Sequence, residues 1–176
     1  MAGPSRTGGR LGVRSMRLLR GLATAAAVGA WTVILIGGYV TATNNGLACR
    51  NVIDCGEASV GAEVEISHRL AAWVEGFLVL ALLVVVLRSY RSWLPVRNLT
   101  LLSFALVTAQ SAVGMLSVHA GFEAMTWYPV LVTAHLGLAT VFLASAVLNA
   151  ATILRGRPPL PATVSSPSKG SAAESS

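Results

Sequence analysis

The chain has 176 residues, of which 54% are hydrophobic and 11% charged; its mean hydropathy is +0.67 and its formal net charge +6. No water-soluble domain of this length hides so much apolar surface, so the composition excludes a soluble globular protein and points to a lipid bilayer. The basic excess follows from membrane topology, as set out below, and no nucleic-acid partner is needed to explain it.

Residues 1–20 are rich in Gly and Arg, with Arg6, Arg10, Arg14, Arg17 and Arg20, and read as a basic tail. The apolar run over about 21–43 exceeds the 7–15 residues of a signal core, so a retained membrane helix is expected. Along it Gly21, Ala25, Gly29, Gly37 and Thr41 recur at four-residue steps, with Val33 the only gap. Small residues at that spacing let helices approach where lipid gives no hydrophobic drive, and packing is favoured over a ligand role.

The loop over 44–64 holds Cys49 and Cys55 in a C-x5-C arrangement. The charge pattern places it outside the cell, where thiols oxidise, so a disulfide that stiffens the mouth of the bundle is the leading reading. A redox-active dithiol is the alternative. Zinc is disfavoured, since no second ligand pair of suitable spacing follows.

The second helix is expected over about 65–87 and opens with Glu65-Ile66-Ser67-His68-Arg69. Glu65 and His68, three apart, share a face, and Arg69, four from Glu65, can pair with it. Spacing alone leaves Glu65 open between proton handling and an interfacial ion pair. Glu75 lies seven residues beyond His68 on the same face, deep in the apolar run. It could serve a proton path or pack against a hydroxyl such as Thr108 or Ser111.

The third helix, about 99–119, carries Gln110, expected to hydrogen-bond across helices, and ends at His119, read as interfacial. Asn98-Leu99-Thr100 fits the glycosylation pattern but falls on the cytoplasmic side. The fourth helix, about 128–154, carries His135. Residues 156–176, rich in Pro, Ser and Ala, read as a disordered tail. Trp31, Trp73, Trp93 and Trp127 are expected mostly as lipid or interface anchors.

Of the 13 Lys and Arg, all but Arg50 and Arg69 fall before the first helix, between the second and third, or after the fourth. The positive-inside rule then predicts an all-α, polytopic four-helix membrane bundle with both termini cytoplasmic, spanning 21–155. The plasma membrane is the expected location.

His68 and His135 are each followed by an arginine 20 residues later, Arg88 and Arg155. At 1.5 Å per residue each imidazole lies roughly 30 Å from its arginine, about one hydrocarbon thickness. The two therefore sit at one depth, on helices that run in the same direction. Two level histidines in a bundle suit the two axial positions of an iron porphyrin. Ala72 and Ala139, each one turn below a histidine, leave room for a flat macrocycle. The second helix of each hairpin carries the histidine, a faint parallel repeat about an axis along the membrane normal.

Gly37-Gly38-Tyr39-Val40-Thr41, Asn45-Gly46-Leu47-Ala48-Cys49 with Cys55, Glu65-x-x-His68-Arg69, Gln110-Ser111-Ala112-Val113-Gly114-Met115 and Ala134-His135-Leu136 together resemble the first half of haem A synthases. The resemblance covers about residues 30–145. It implies oxidation of a methyl group of haem O to the formyl group of haem A, for cytochrome oxidase, with a bound b-type haem. It implies His68 and His135 as iron ligands near the outer face, Glu65 as the catalytic carboxylate, and Cys49 and Cys55 as a pair able to form a disulfide. Arg69, Glu75 and Gln110 are supporting candidates.

Most members of that family have two tandem four-helix units, and this chain has one. A homo-oligomer is therefore expected, with haem O synthase or oxidase assembly proteins as further partners. The loop Cys-Arg-Asn-Val-Ile-Asp-Cys also lacks the family's usual aromatic and proline residues. The competing expectations are a bis-histidine b-type electron carrier and a non-catalytic four-helix membrane scaffold.

Overall fold

A computed structural model describes residues 7–49, 59–123, 126–156 and 158. Four helices are present: α1 (Thr7–Ala42), α2 (Val60–Ser89), α3 (Leu94–Glu123) and α4 (Tyr128–Arg155). No strand occurs among the described residues. Each helix contains a span long and apolar enough to cross a membrane. α1 reaches back to Thr7, through residues the sequence suggested as a tail.

The helix ends follow local chemistry. Ser59 caps α2, its side chain accepting from the backbone N–H of Ala62 at 3.2 Å, and Glu63 lies in the first turn. Both features satisfy or complement the free N–H groups at a helix start. Arg88 and Arg155 stand in the last turns of α2 and α4, where a cation complements the carbonyl end. Pro129 sits in the first turn of α4, where its missing N–H costs nothing.

The helices form a ring. α1 packs against α2 and α4, and α3 against the same two; the diagonal pairs make no close backbone approach among the described residues. α2 and α4, which carry the histidines, therefore face each other across the bundle axis.

The ring is an internal repeat. Leu19, Ala23, Ala26, Ala30, Val33 and Val40 are buried on α1, and the residues 77 positions later, Val96, Thr100, Ser103, Val107, Gln110 and Ser117, are buried on α3. Glu75, Val79, Leu82, Leu83 and Val86 on α2 match Phe142, Ala146, Asn149, Ala150 and Ile153 on α4, all buried and 67 positions apart. The offsets differ because ten fewer residues join the second hairpin.

The interior is layered. At the end bearing Arg88 and Arg155, Leu19, Leu82, Val86, Tyr90, Trp93 and Ile153 form one apolar cluster. A second, around Phe142, Val79, Val107 and Ala30, fills the middle. Between α3 and α4, Ser103 and Ser145 share a hydrogen bond of 2.9 Å, and Asn149 donates to Thr100 at 2.9 Å. Against lipid, burying apolar area gains little, so tight packing and these cross-helix bonds hold the bundle.

Two expectations need correction. Trp93 is no membrane anchor: it is 8% exposed, packed under the tight turn between α2 and α3, while Trp31, Trp73 and Trp127 are exposed. The buried face of α1 follows Ala23, Ala26 and Ala30, and Gly21 and Thr41 of the four-residue ladder are exposed.

Candidate functional site

The site is built where each histidine meets a glycine of its partner helix in the hairpin. A Cβ placed on Gly37 of α1 would lie 2.7 Å from Cε1 of His68 and 3.2 Å from its Nδ1. A Cβ on Gly114 of α3 would lie 2.9 Å from Cε1 of His135 and 3.1 Å from its Nδ1. Gly114 follows Gly37 by the same 77 positions that relate the two helices. Each imidazole thus rests in a cradle that exists only because the residue beneath it has no side chain.

His135 Nδ1 lies 2.7 Å from the carbonyl oxygen of Gln110, one turn before Gly114. A carbonyl only accepts, so Nδ1 carries the proton and Nε2 keeps its lone pair. A backbone partner on one ring nitrogen is the usual way a protein aims the other nitrogen at a metal. In the first hairpin the equivalent residue is Val33, one turn before Gly37. The His68 ring interacts with the backbone of Val33. Its Nδ1 is buried and closes no hydrogen bond.

The residues present fit a planar iron porphyrin: one imidazole is oriented by a backbone bond, the other holds a buried unsatisfied nitrogen, and both rings are seated on glycines. Ala72 and Ala139 add no bulk one turn below. No group of three or more His, Cys, Asp or Glu side chains that could hold a metal ion is found among the described residues, so the imidazoles stand as a pair.

Glu65 is 3% exposed and both its oxygens are engaged. Oε1 forms an ion pair with Arg69, and Oε2 accepts the backbone N–H of Cys49 at 2.7 Å. Arg69 also donates to the carbonyl of Cys49 at 3.0 Å. The glutamate and arginine of Glu65-x-x-His68-Arg69 therefore grip both sides of one residue in the loop after α1. His68 lies between them in sequence, so the clamp and the candidate ligand share one turn of helix.

The described part of that loop folds over the mouth of the bundle. Asn44 takes a left-handed φ of 56°, which an Asn tolerates, and turns the chain back. The side chain of Leu47 then packs on Gly121 of α3. The Tyr128 hydroxyl sits where a Cβ on Gly46 would be, 2.6 Å from it. Cys49 is fully buried, its Sγ 3.8 Å from the carbonyl oxygen of Ala62, and no free thiol occurs among the described residues. Cys55 lies outside those residues, as does Arg50. Tyr128 and Gly121 were not singled out by sequence, and Gly37 and Gly114 were named only within motifs; their fixed offset is the signal that could have found the cradles.

Glu75 is 2% exposed and neither oxygen has a hydrogen-bond partner. It presses against Gly29, leaving no room for a Cβ there. Of the two readings the sequence left open for Glu75, the packing against Thr108 or Ser111 is not formed: those hydroxyls donate to Phe104 and Val107 in their own helix. Gln110 enters the site through its backbone carbonyl. His119 is exposed.

Comparison with known proteins places the chain in a family. Residues 52–173 match the COX15-CtaA family, described as cytochrome oxidase assembly protein. The chain belongs to this family. It is similar to the Heme A synthase of Lysinibacillus sphaericus (strain C3-41), 34% identical over 108 residues, which are 56% of this chain and 34% of that protein. The Heme A synthase of Bacillus mycoides (strain KBAB4) is 28% identical over 141 residues, 75% of this chain and 43% of that protein. The same protein of Bacillus cereus (strain AH187) matches to the same extent. The chain thus matches less than half the length of these curated relatives. No solved structure matches it.

Proposed function

We propose that this chain binds a b-type haem between His68 and His135 and acts in haem A formation, oxidising the methyl group of haem O to the formyl group for cytochrome oxidase assembly. The observation that carries the haem reading is the bond from His135 Nδ1 to Gln110, which leaves Nε2 as a free ligand nitrogen opposite a second glycine-seated imidazole. Family membership and the similarity to Heme A synthases support the reaction.

When bound, the iron supplies the one-electron and oxygen chemistry that no side chain here can perform. The chain's own residues orient and enclose. Gly37 and Gly114 fix the depth of the imidazoles. Glu65 and Arg69 tie the loop at Cys49 over the mouth, which limits water there. Glu65, held through both oxygens, first positions this loop; exchanging a proton would require it to give up one of those bonds.

The loop pair Cys49 and Cys55 is read as a disulfide on the outer face of the plasma membrane, with both termini cytoplasmic. The lysines and arginines at the opposite end support that orientation. A single bundle offers one bis-histidine site, while the reaction needs a cofactor haem and a substrate haem. A homo-oligomer that brings two bundles together would supply both, with haem O synthase or oxidase assembly proteins as possible partners.

The test is pigment analysis of the purified chain, followed by co-expression with a haem O synthase. A Soret band, and conversion of haem O to haem A, support the full reading. Absence of any Soret band after haem reconstitution would sink it. A second reading, a b-type electron carrier, draws support from the full engagement of Glu65 and the short match to the relatives; haem retained without conversion favours it.

A further inference from the structure

The bundle repeats in register but not in surface. Between α1 and α4 runs an open groove of about 630 Å³, from Arg155 at one end to Trp31 and Leu143 at the other. Its walls are apolar and its floor includes Ala27 and Ala150. The repeat supplies an internal control. In the equivalent seam between α2 and α3, Phe104 stands where α1 has Ala27, and Leu83 where α4 has Ala150. Phe104 packs onto the central cluster and Leu83 is buried, so large side chains occupy that seam.

Both seams end in arginines: Arg20 and Arg155 at the open one, Arg97 and Arg88 at the filled one. Arg20 lies one turn before Thr24, which lines the groove, and so shares its helix face. Arg20 and Arg155 are exposed, and no carboxylate pairs with either among the described residues. Arg97, by contrast, donates to the side chain of Asn98. From Arg155 to Leu143 is twelve residues, roughly 18 Å of helix, a little over half of a ~30 Å hydrocarbon core.

We propose that this groove binds one anionic phospholipid, with an acyl chain along the α1–α4 seam and its phosphate between Arg20 and Arg155. The apolar walls accept the chain without unsatisfied polar groups. The guanidinium forks match phosphate oxygens in geometry and charge. Trp31 marks the far end of the site. A second copy docked at this seam fits less well: it would press two such arginine pairs, four like charges, into one contact.

Trp31 makes the site directly readable. The full-length chain is placed in mixed phosphatidylglycerol–phosphatidylcholine vesicles in which only one of the two lipids carries brominated acyl chains. Quenching at Trp31 is taken as the difference from Trp31→Phe. The expected preference for the anionic lipid is on the order of tenfold, the scale set by two basic side chains at an anionic surface. Ala27→Phe copies the residue of the equivalent seam and should keep the melting temperature while losing the preference. Arg20→Gln with Arg155→Gln should leave Trp31 quenched equally by both lipids. Equal quenching in the unsubstituted chain overturns the proposal, as does an unchanged preference in a folded Ala27→Phe chain. Efficient disulfide cross-linking between copies carrying Ala27→Cys would assign the face to a second protomer and overturn it as well.

Discussion

His135 donates from Nδ1 to the carbonyl oxygen of Gln110 at 2.7 Å, across the interface of α3 and α4. That bond fixes both the tautomer and the direction of the ring, and Gly114, four residues after Gln110, leaves the space it occupies. His135→Ala should abolish haem retention, and His68→Ala should do the same. The measurement is the ratio of Soret to protein absorbance after purification; normal spectra from both variants would refute the ligand assignment.

The cradles predict an unusual sensitivity to one methyl group. Gly37→Ala or Gly114→Ala puts a Cβ inside contact distance of an imidazole, so the ring or the helix must move. Overpacking of this kind costs about 1–3 kcal/mol. Haem affinity should fall and the Soret maximum shift, while Gly38→Ala, with open space around it, should change neither. Titration of the three variants with haem checks this.

Removing one partner of a largely buried ion pair costs about 3–5 kcal/mol, because the other charge is left without compensation. Arg69 is partly exposed, so the cost of Arg69→Met should fall below that range. Its visible consequence should be local. The Cys49 amide should exchange with solvent faster in Glu65→Ala and in Arg69→Met, read by hydrogen–deuterium exchange of the peptide that contains it. Glu65→Gln keeps an acceptor for the Cys49 N–H and should protect that amide better than Glu65→Ala. Equal protection in all three variants and the parent would show that the clamp does not hold the loop.

Glu75 is the opposite case, a buried carboxyl without partners. An unsatisfied buried polar group costs about 1–3 kcal/mol. Glu75→Leu should therefore raise the melting temperature in detergent micelles. A lower melting temperature would mean that Glu75 has a stabilising partner, such as a buried water. Loss of turnover in the stabilised variant would identify Glu75 as retained for function.

Much of this was legible in the chain and some was not, for definable reasons. Equal spacing from His68 to Arg88 and from His135 to Arg155 placed two histidines at one depth, because helical rise is fixed and arginines avoid hydrocarbon. The pairing of Glu65 with Arg69 was readable from i,i+4 spacing, but its grip on Cys49 was not, since that contact joins a loop to a helix. The ladder of small residues on α1 packs at Gly29 and Gly37 but not at its ends, for a geometric reason. Four residues advance a helix by 400°, so a strict four-residue series drifts about 40° per step and cannot stay on one face. The buried series mixes steps of three and four. Trp93 was misread because hydropathy cannot tell an interfacial ring from one tucked under a tight turn.

The fixed offsets between α1 and α3 and between α2 and α4 let each hairpin be read against the other. A lone two-helix hairpin carrying one histidine could complete a bis-histidine site only by meeting its own twin. Joined in one chain, the two hairpins need not be identical. Glu65, Arg69 and Glu75 on α2 correspond, 67 positions on, to Val132, Leu136 and Phe142 on α4. One hairpin carries ionisable groups where the other carries apolar ones, while the histidines, their glycine seats and the terminal arginines recur in both.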